Sequence, residues 1–74
     1  MMKKYKVKCR VKVSDSVYET ETKLFWFYRR AVKEYEQRIK DEATQYVVID
    51  KYNPDSRRFD LPVQKWIKSC YIEK

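Results

Sequence analysis

Residues 4–13 alternate without a break. Tyr5, Val7, Cys9, Val11 and Val13 fall on one side of an extended chain, and Lys4, Lys6, Lys8, Arg10 and Lys12 fall on the other. Period-two alternation marks a strand with one buried and one wet face. Ser14-Asp15-Ser16 carries side chains that bond back to their own backbone, which is turn chemistry. A second strand is therefore expected from about Val17. Pairing Val13 with Ser16 sets Val11 against Tyr18, Cys9 against Thr20 and Tyr5 against Leu24, with Arg10 against Glu19 and Lys8 against Glu21 on the opposite face. Each such opposite-charge pair is worth about 0.2–1 kcal/mol. A slip of one residue sets Val11 against Glu19 and gives up both matches. The pattern thus predicts a hairpin in which Lys8 and Arg10 are neutralised by glutamates.

The period changes at Leu24. Leu24, Tyr28, Ala31, Val32, Tyr35 and Ile39 recur at the spacing of one helix face, with Arg30–Glu34, Glu34–Arg38 and Glu36–Lys40 at the i, i+4 spacing of ion pairs. This helix is expected to begin near Trp26 and end near Ala43. Tyr46-Val47-Val48-Ile49 reads as a central strand covered on both sides. Asn53-Pro54-Asp55-Ser56 is a turn with proline at its second position, and Arg57 to Leu61 reads as a short edge strand. Past Pro62, the residues Val63, Trp66, Ile67, Cys70 and Tyr71 return to helical spacing and predict a closing helix with Asp60 near its start. The expected fold is a single α+β domain over residues 1–74, in the order β-β-α-β-β-α, with helices packed on one face of a mostly antiparallel sheet. Its predicted core is Val7, Cys9, Val11, Tyr28, Ala31, Val32, Tyr35, Ile39, Val47, Ile49, Phe59, Trp66 and Ile67.

Composition narrows the function more by exclusion than by assignment. The chain has 74 residues and no histidine, so a Ser-His-Asp triad, a Cys-His pair and histidine-bearing zinc sites are ruled out. It has no glycine, so phosphate-cradling glycine loops are ruled out as well. The acidic residues are scattered without a pair suited to general acid–base work. No catalytic residue, metal site or cofactor is expected. Cys9 and Cys70 both lie on apolar faces and are expected as reduced, buried thiols in a cytoplasmic protein. No apolar run approaches the length of a membrane span.

Eighteen Lys and Arg against eleven Asp and Glu give a formal charge of +7, which favours an anionic partner. Two surfaces are candidates. Four consecutive aromatics, Phe25 to Tyr28, cannot all face inward, so Trp26 or Phe27 should be exposed beside Arg29 and Arg30. Exposed aromatic and arginine side chains are the composition of protein-binding hot spots. The second candidate is the cationic face of the first strand, Lys4, Lys6, Lys8, Arg10 and Lys12, extended by Lys23, with Arg57 and Arg58 as a separate phosphate grip. Charge rows of this kind more often serve solvation and guard an edge against aggregation. The predicted hairpin register weighs in that direction, because Glu19 and Glu21 would neutralise the middle of the row.

The lysine-rich opening hairpin, the aromatic segment running into Arg29-Arg30-Ala31-Val32 and the Tyr46-Val47-Val48-Ile49 strand together resemble the small early proteins by which tailed bacteriophages take over a host cell. The likeness spans the chain in size, pattern and composition, and no diagnostic motif carries it. It implies a non-enzymatic binding protein that modulates a host protein. The expected contact residues are then Trp26, Phe27, Arg29 and Arg30, with Lys6, Lys8 and Arg10 steering towards an acidic surface. The alternative is a basic nucleic-acid-binding protein that uses the cationic face of the first hairpin.

Overall fold

The alternating stretch at the start of the chain forms β1 (Tyr5–Ser14), and a turn at Asp15 and Ser16 returns it as β2 (Val17–Phe25). These and the remaining elements are seen in a computed structural model, which describes residues 3–68. Two corner residues lead into α1 (Tyr28–Ile39), followed by β3 (Thr44–Asn53) and β4 (Arg58–Ile67). The strands form one sheet in the order β2-β1-β3-β4, with every neighbouring pair antiparallel. Helix α1 lies across one face, against β3, β1 and β2.

The helix starts two residues later than its periodicity suggests. Phe27 is still extended (φ −121°, ψ 139°), and its carbonyl accepts the first helical hydrogen bonds from Arg30 and Ala31. Trp26 and Phe27 are therefore spent on the corner. At the other end the helix stops at Ile39 instead of near Ala43. Asp41 takes over there, accepting the Ala43 amide on its side chain at 3.0 Å and the Thr44 amide on its carbonyl at 3.1 Å. This Asx-type turn delivers the chain into β3.

Val7 and Cys9 from β1, Val47 and Ile49 from β3 and Ala31 from α1 are buried together. Ala31 has no side chain beyond Cβ, which lets the helix backbone come close to the two central strands. Tyr5, Val11, Phe25, Val32, Tyr35, Ile39 and Trp66 pack around this cluster. Tyr28, expected in the core, sits at its margin with its ring against Tyr5 at 5.4 Å.

The expected closing helix is instead the strand β4, so the order among the described residues is β-β-α-β-β. The spacing of Val63, Trp66 and Ile67 fits a helix, but the same stretch alternates on either side of an irregularity near Pro62 and Val63. Its backbone completes the hydrogen bonding of β3, which would otherwise end the sheet with its buried residues at an open edge. Proline lacks an amide hydrogen and is tolerated here because β4 is an edge strand. Asp60 lies within this strand, and the short Arg57–Leu61 strand of the prediction is its first part. Cys70 and Tyr71 lie outside the described residues. One further consequence is that β3 is central but covered on one face only. Val47 and Ile49 point to the helix, while Tyr46 and Val48 belong to the uncovered side and are half-buried. Phe59 and Ile67 leave the predicted core for the same reason.

Candidate functional site

The hairpin register sets the chemistry of both faces. On the helix side Tyr5 pairs with Phe25, Val7 with Lys23, Cys9 with Glu21 and Val11 with Glu19. On the other side Lys6 pairs with Leu24, Lys8 with Thr22, Arg10 with Thr20 and Lys12 with Tyr18. This is the pairing slipped by one residue from the expected one, and an irregularity between Lys12 and Ser14 accommodates it at the turn. Counting cross-strand pairs alone missed a third participant, the helix. Arg38 of α1 bonds Glu21, and its Nε also reaches Glu34 Oε1 at 3.2 Å. Lys23 Nζ meets the same Glu34 oxygen at 3.1 Å. Lys23 and Glu21 on the inner side of β2 are thus matched by α1. Lys8 and Arg10 are not neutralised by Glu21 and Glu19, which lie across the sheet from them. Lys23 likewise does not extend the cationic row, because it belongs to the opposite face.

Burial pushes the Glu34 carboxyl up, but the hydrogen bonds and charges of Lys23 and Arg38 outweigh it and hold the group below the usual carboxylate range. Cys9 is buried beside this cluster, with its Sγ 3.9 Å from Glu21 Oε2. Burial dominates there and raises the thiol, despite the pull of Arg38. A raised thiol is mostly protonated at neutral pH, hence a poor nucleophile. Cys9 has no disulfide partner among the described residues.

The outer face of the sheet carries no helix. Its centre is the row Lys6, Lys8, Arg10 and Lys12 on β1, with Lys4 continuing the alternation just before the strand. Tyr18 of β2 and Tyr46 of β3 flank this row through their pairing with Lys12 and Arg10. Tyr52 and Phe59 sit near its Lys6 end, with their rings 5.4 Å apart. Cations and rings already touch on this face. The Arg10 guanidinium lies 5.1 Å from the Tyr18 ring centre, and Lys6 Nζ lies 5.7 Å from that of Phe59. The buried Nε of Arg10 has no hydrogen-bond acceptor among the described residues. A shallow depression crosses from β1 to β4, lined by Lys8, Tyr46, Val48, Asp50, Lys65 and Ile67. Asp50 is its acidic member. Burial raises its carboxyl above the ordinary value, Lys6 and Lys8 oppose the rise, and Asp60 adds to it.

The aromatic–arginine segment forms a separate surface at the corner between β2 and α1. Trp26 is 44% exposed and Phe27 67% exposed. Arg29 and Arg30 occupy the first turn of α1, which contains no acidic residue. Trp26 does not pack under a closing helix, since none exists among the described residues. Arg57 and Arg58 are exposed at the turn between β3 and β4, where Arg57 takes a left-handed conformation (φ 58°). The Asn53 carbonyl accepts the Arg57 amide at 2.8 Å and its side chain accepts the Asp55 amide at 3.0 Å, which fixes the turn.

The structure therefore brings Lys6, Lys8, Arg10 and Lys12 together on one face and separates them from Lys23 and from the Trp26 corner. Sequence reading missed Tyr18, Tyr46, Tyr52, Phe59 and Lys65 as members of that face. The period-two pattern Tyr46, Val48, Asp50, Tyr52 was the available signal for β3. No group of His, Cys, Asp and Glu among the described residues is arranged to hold a metal ion. No helix of the described residues is long and apolar enough to cross a membrane. No protein-family profile matches the chain, and no curated protein or solved structure is significantly similar to it.

Proposed function

We propose that this protein acts by binding nucleic acid, through the uncovered face of its sheet and without catalysis. The observation that carries this reading is the hairpin register. It places Lys6, Lys8, Arg10 and Lys12 in one unbroken row and sends Glu19 and Glu21 to the opposite face. On this face the row meets one acid, Asp50 opposite Lys6 on β3, and its excess of cations neutralises phosphates and releases their counterions, which is the main source of affinity for a nucleic-acid backbone. Lys65 adds to the row from β4, and Asp50 opposes it. Fluorescence anisotropy with a labelled oligonucleotide tests the proposal. The Lys8→Glu/Arg10→Glu double variant should lose binding by at least a hundredfold while keeping its circular dichroism spectrum. Unchanged affinity in that variant would rule the sheet face out.

A second reading is supported by the exposure of Phe27 and Trp26 beside Arg29 and Arg30. A protein partner with an acidic, partly apolar surface would suit this corner, as an early phage protein acting on a host protein would require. Affinity capture from nuclease-treated host lysate separates the two surfaces. A stoichiometric protein lost with Trp26→Ala/Phe27→Ala but retained with Lys8→Glu/Arg10→Glu supports the corner. Capture that ends once nucleic acid is digested excludes it.

A further inference from the structure

Which nucleic acid suits this face is decided by its width, its repeat and the rings set among its cations. We infer that the face takes a single strand in preference to a duplex, an inference that rests on the nucleic-acid reading above.

Adjacent strands lie about 4.8 Å apart, so the four-stranded sheet spans roughly 14 Å between its outer strands before side chains are added. The major groove of a duplex is about 12 Å wide and admits a helix or a two-stranded ribbon. The whole face cannot enter it, and the narrower minor groove is excluded more strongly. The β1–β2 tip alone would fit a groove, but it carries Ser14, Asp15 and Ser16, whose only charge is negative, and the β3–β4 tip, with Arg57 and Arg58, would enter it without the cationic row. A duplex could therefore meet this surface only along its outer phosphates.

An extended single strand matches it in two ways. Alternate residues on a β-strand advance by about 6.8 Å, so Lys6, Lys8, Arg10 and Lys12 form a regular row about 20 Å long. Successive phosphates of an extended strand can follow such a row one after another. Each nucleotide also offers a flat base, and on this face the rings lie beside the cations. Arg10 rests against Tyr18, and Lys6 against Phe59 with Tyr52 adjoining. When a strand binds, the cation moves to a phosphate and a base takes its place on the ring. Both members of each pair are then engaged, and the Arg10 Nε gains the acceptor it lacks. In a duplex the bases remain stacked on each other and the rings gain nothing. Aromatic stacking combined with a cationic track is the general mode by which single strands are held.

The test compares a labelled 12-mer DNA, the RNA of the same sequence and the corresponding DNA duplex, each titrated with wild-type protein at two salt concentrations. Either single strand should bind at least tenfold more tightly than the duplex. Phe59→Leu and Tyr52→Leu keep apolar volume, and each should weaken single-strand binding about tenfold while leaving duplex binding unchanged. Thermal melts confirm that both variants fold. Duplex binding as tight as single-strand binding overturns the inference and leaves the nucleic-acid reading intact. Single-strand affinity that survives both ring substitutions also overturns it. Failure of all three probes to bind wild-type protein overturns the nucleic-acid reading itself.

Discussion

Asp50 is the residue on which the sheet face is most finely balanced. It is the acidic side chain of the depression that Lys8 and Lys65 line, and burial raises its carboxyl against the pull of Lys6 and Lys8. A carboxylate whose folded value exceeds its unfolded one costs stability while ionised, and that cost disappears as pH falls through the folded value. Protonation also removes the negative charge facing an incoming phosphate. Binding of an oligonucleotide should therefore strengthen as pH falls through the raised value of the Asp50 carboxyl. Asp50→Asn should bind about three- to tenfold more tightly at neutral pH, since one charge about 4 Å away is worth on the order of 1 kcal/mol under water-like screening. Its affinity should change less with pH than that of wild type. Anisotropy titrations of the two proteins from neutral pH downwards read both effects. At this scale the sequence was readable wherever a side chain's role depended on its own strand. Lys6 and Val7 were assigned to opposite faces from alternation alone. Lys23 and Phe59 were misplaced because their faces are set by partners on other elements.

The helix and the first hairpin are joined by charge as well as by apolar contact. Glu34 receives Lys23 from β2 and Arg38 from its own helix, and Arg38 passes on to Glu21. The lowered Glu34 carboxyl contributes stability that is fully present above its ordinary range and is lost as pH falls through its lower folded value. Glu34→Gln should cost about 1.5–2 kcal/mol at neutral pH, the lower part of the range for hydrogen bonds to a charged group. It should also flatten the acid limb of stability, and urea denaturation of both proteins between pH 3 and 7 measures the difference. These element-level ties explain the error in register. A count of cross-strand pairs favours Arg10 with Glu19, whereas the observed slip lets α1 supply partners that no strand-by-strand count contains. Strand β4 was hidden for a related reason. The irregularity near Pro62 and Val63 interrupts its alternation, and Val63, Trp66 and Ile67 then imitate one helical face.

For the molecule as a whole, one helix serving one sheet leaves a division of labour between faces. The helix side holds the buried cluster and the paired charges, while the other side holds the cationic row with its rings. The α+β class and the helix-covered side were legible in the sequence. The wet lysine face of β1 was legible too, but the uncovered side of β3 was not, because Tyr46 to Ile49 reads as covered on both sides and the expected second helix drew Phe59 and Ile67 into the core. If the row engages three or four phosphates of a single strand, log affinity should fall with log salt at a slope of about −2 to −3. Removing Lys8 and Arg10 together should make that slope shallower by about 1.4 units. A slope near zero would mean that contacts other than phosphates dominate.

The position of β1 has a consequence for how the chain is made. It is synthesised before the other three strands, yet it ends in the middle of the sheet, between β2 and β3. A hairpin such as β1–β2 forms within microseconds once both strands are available. The second edge of β1 must wait, with Val7 and Cys9 uncovered, until α1 and β3 have been translated, an interval of seconds at ordinary elongation rates. During that interval the lysines and arginine of β1 are the nascent chain's protection, since like charges on a strand with an unpaired edge discourage it from joining another copy.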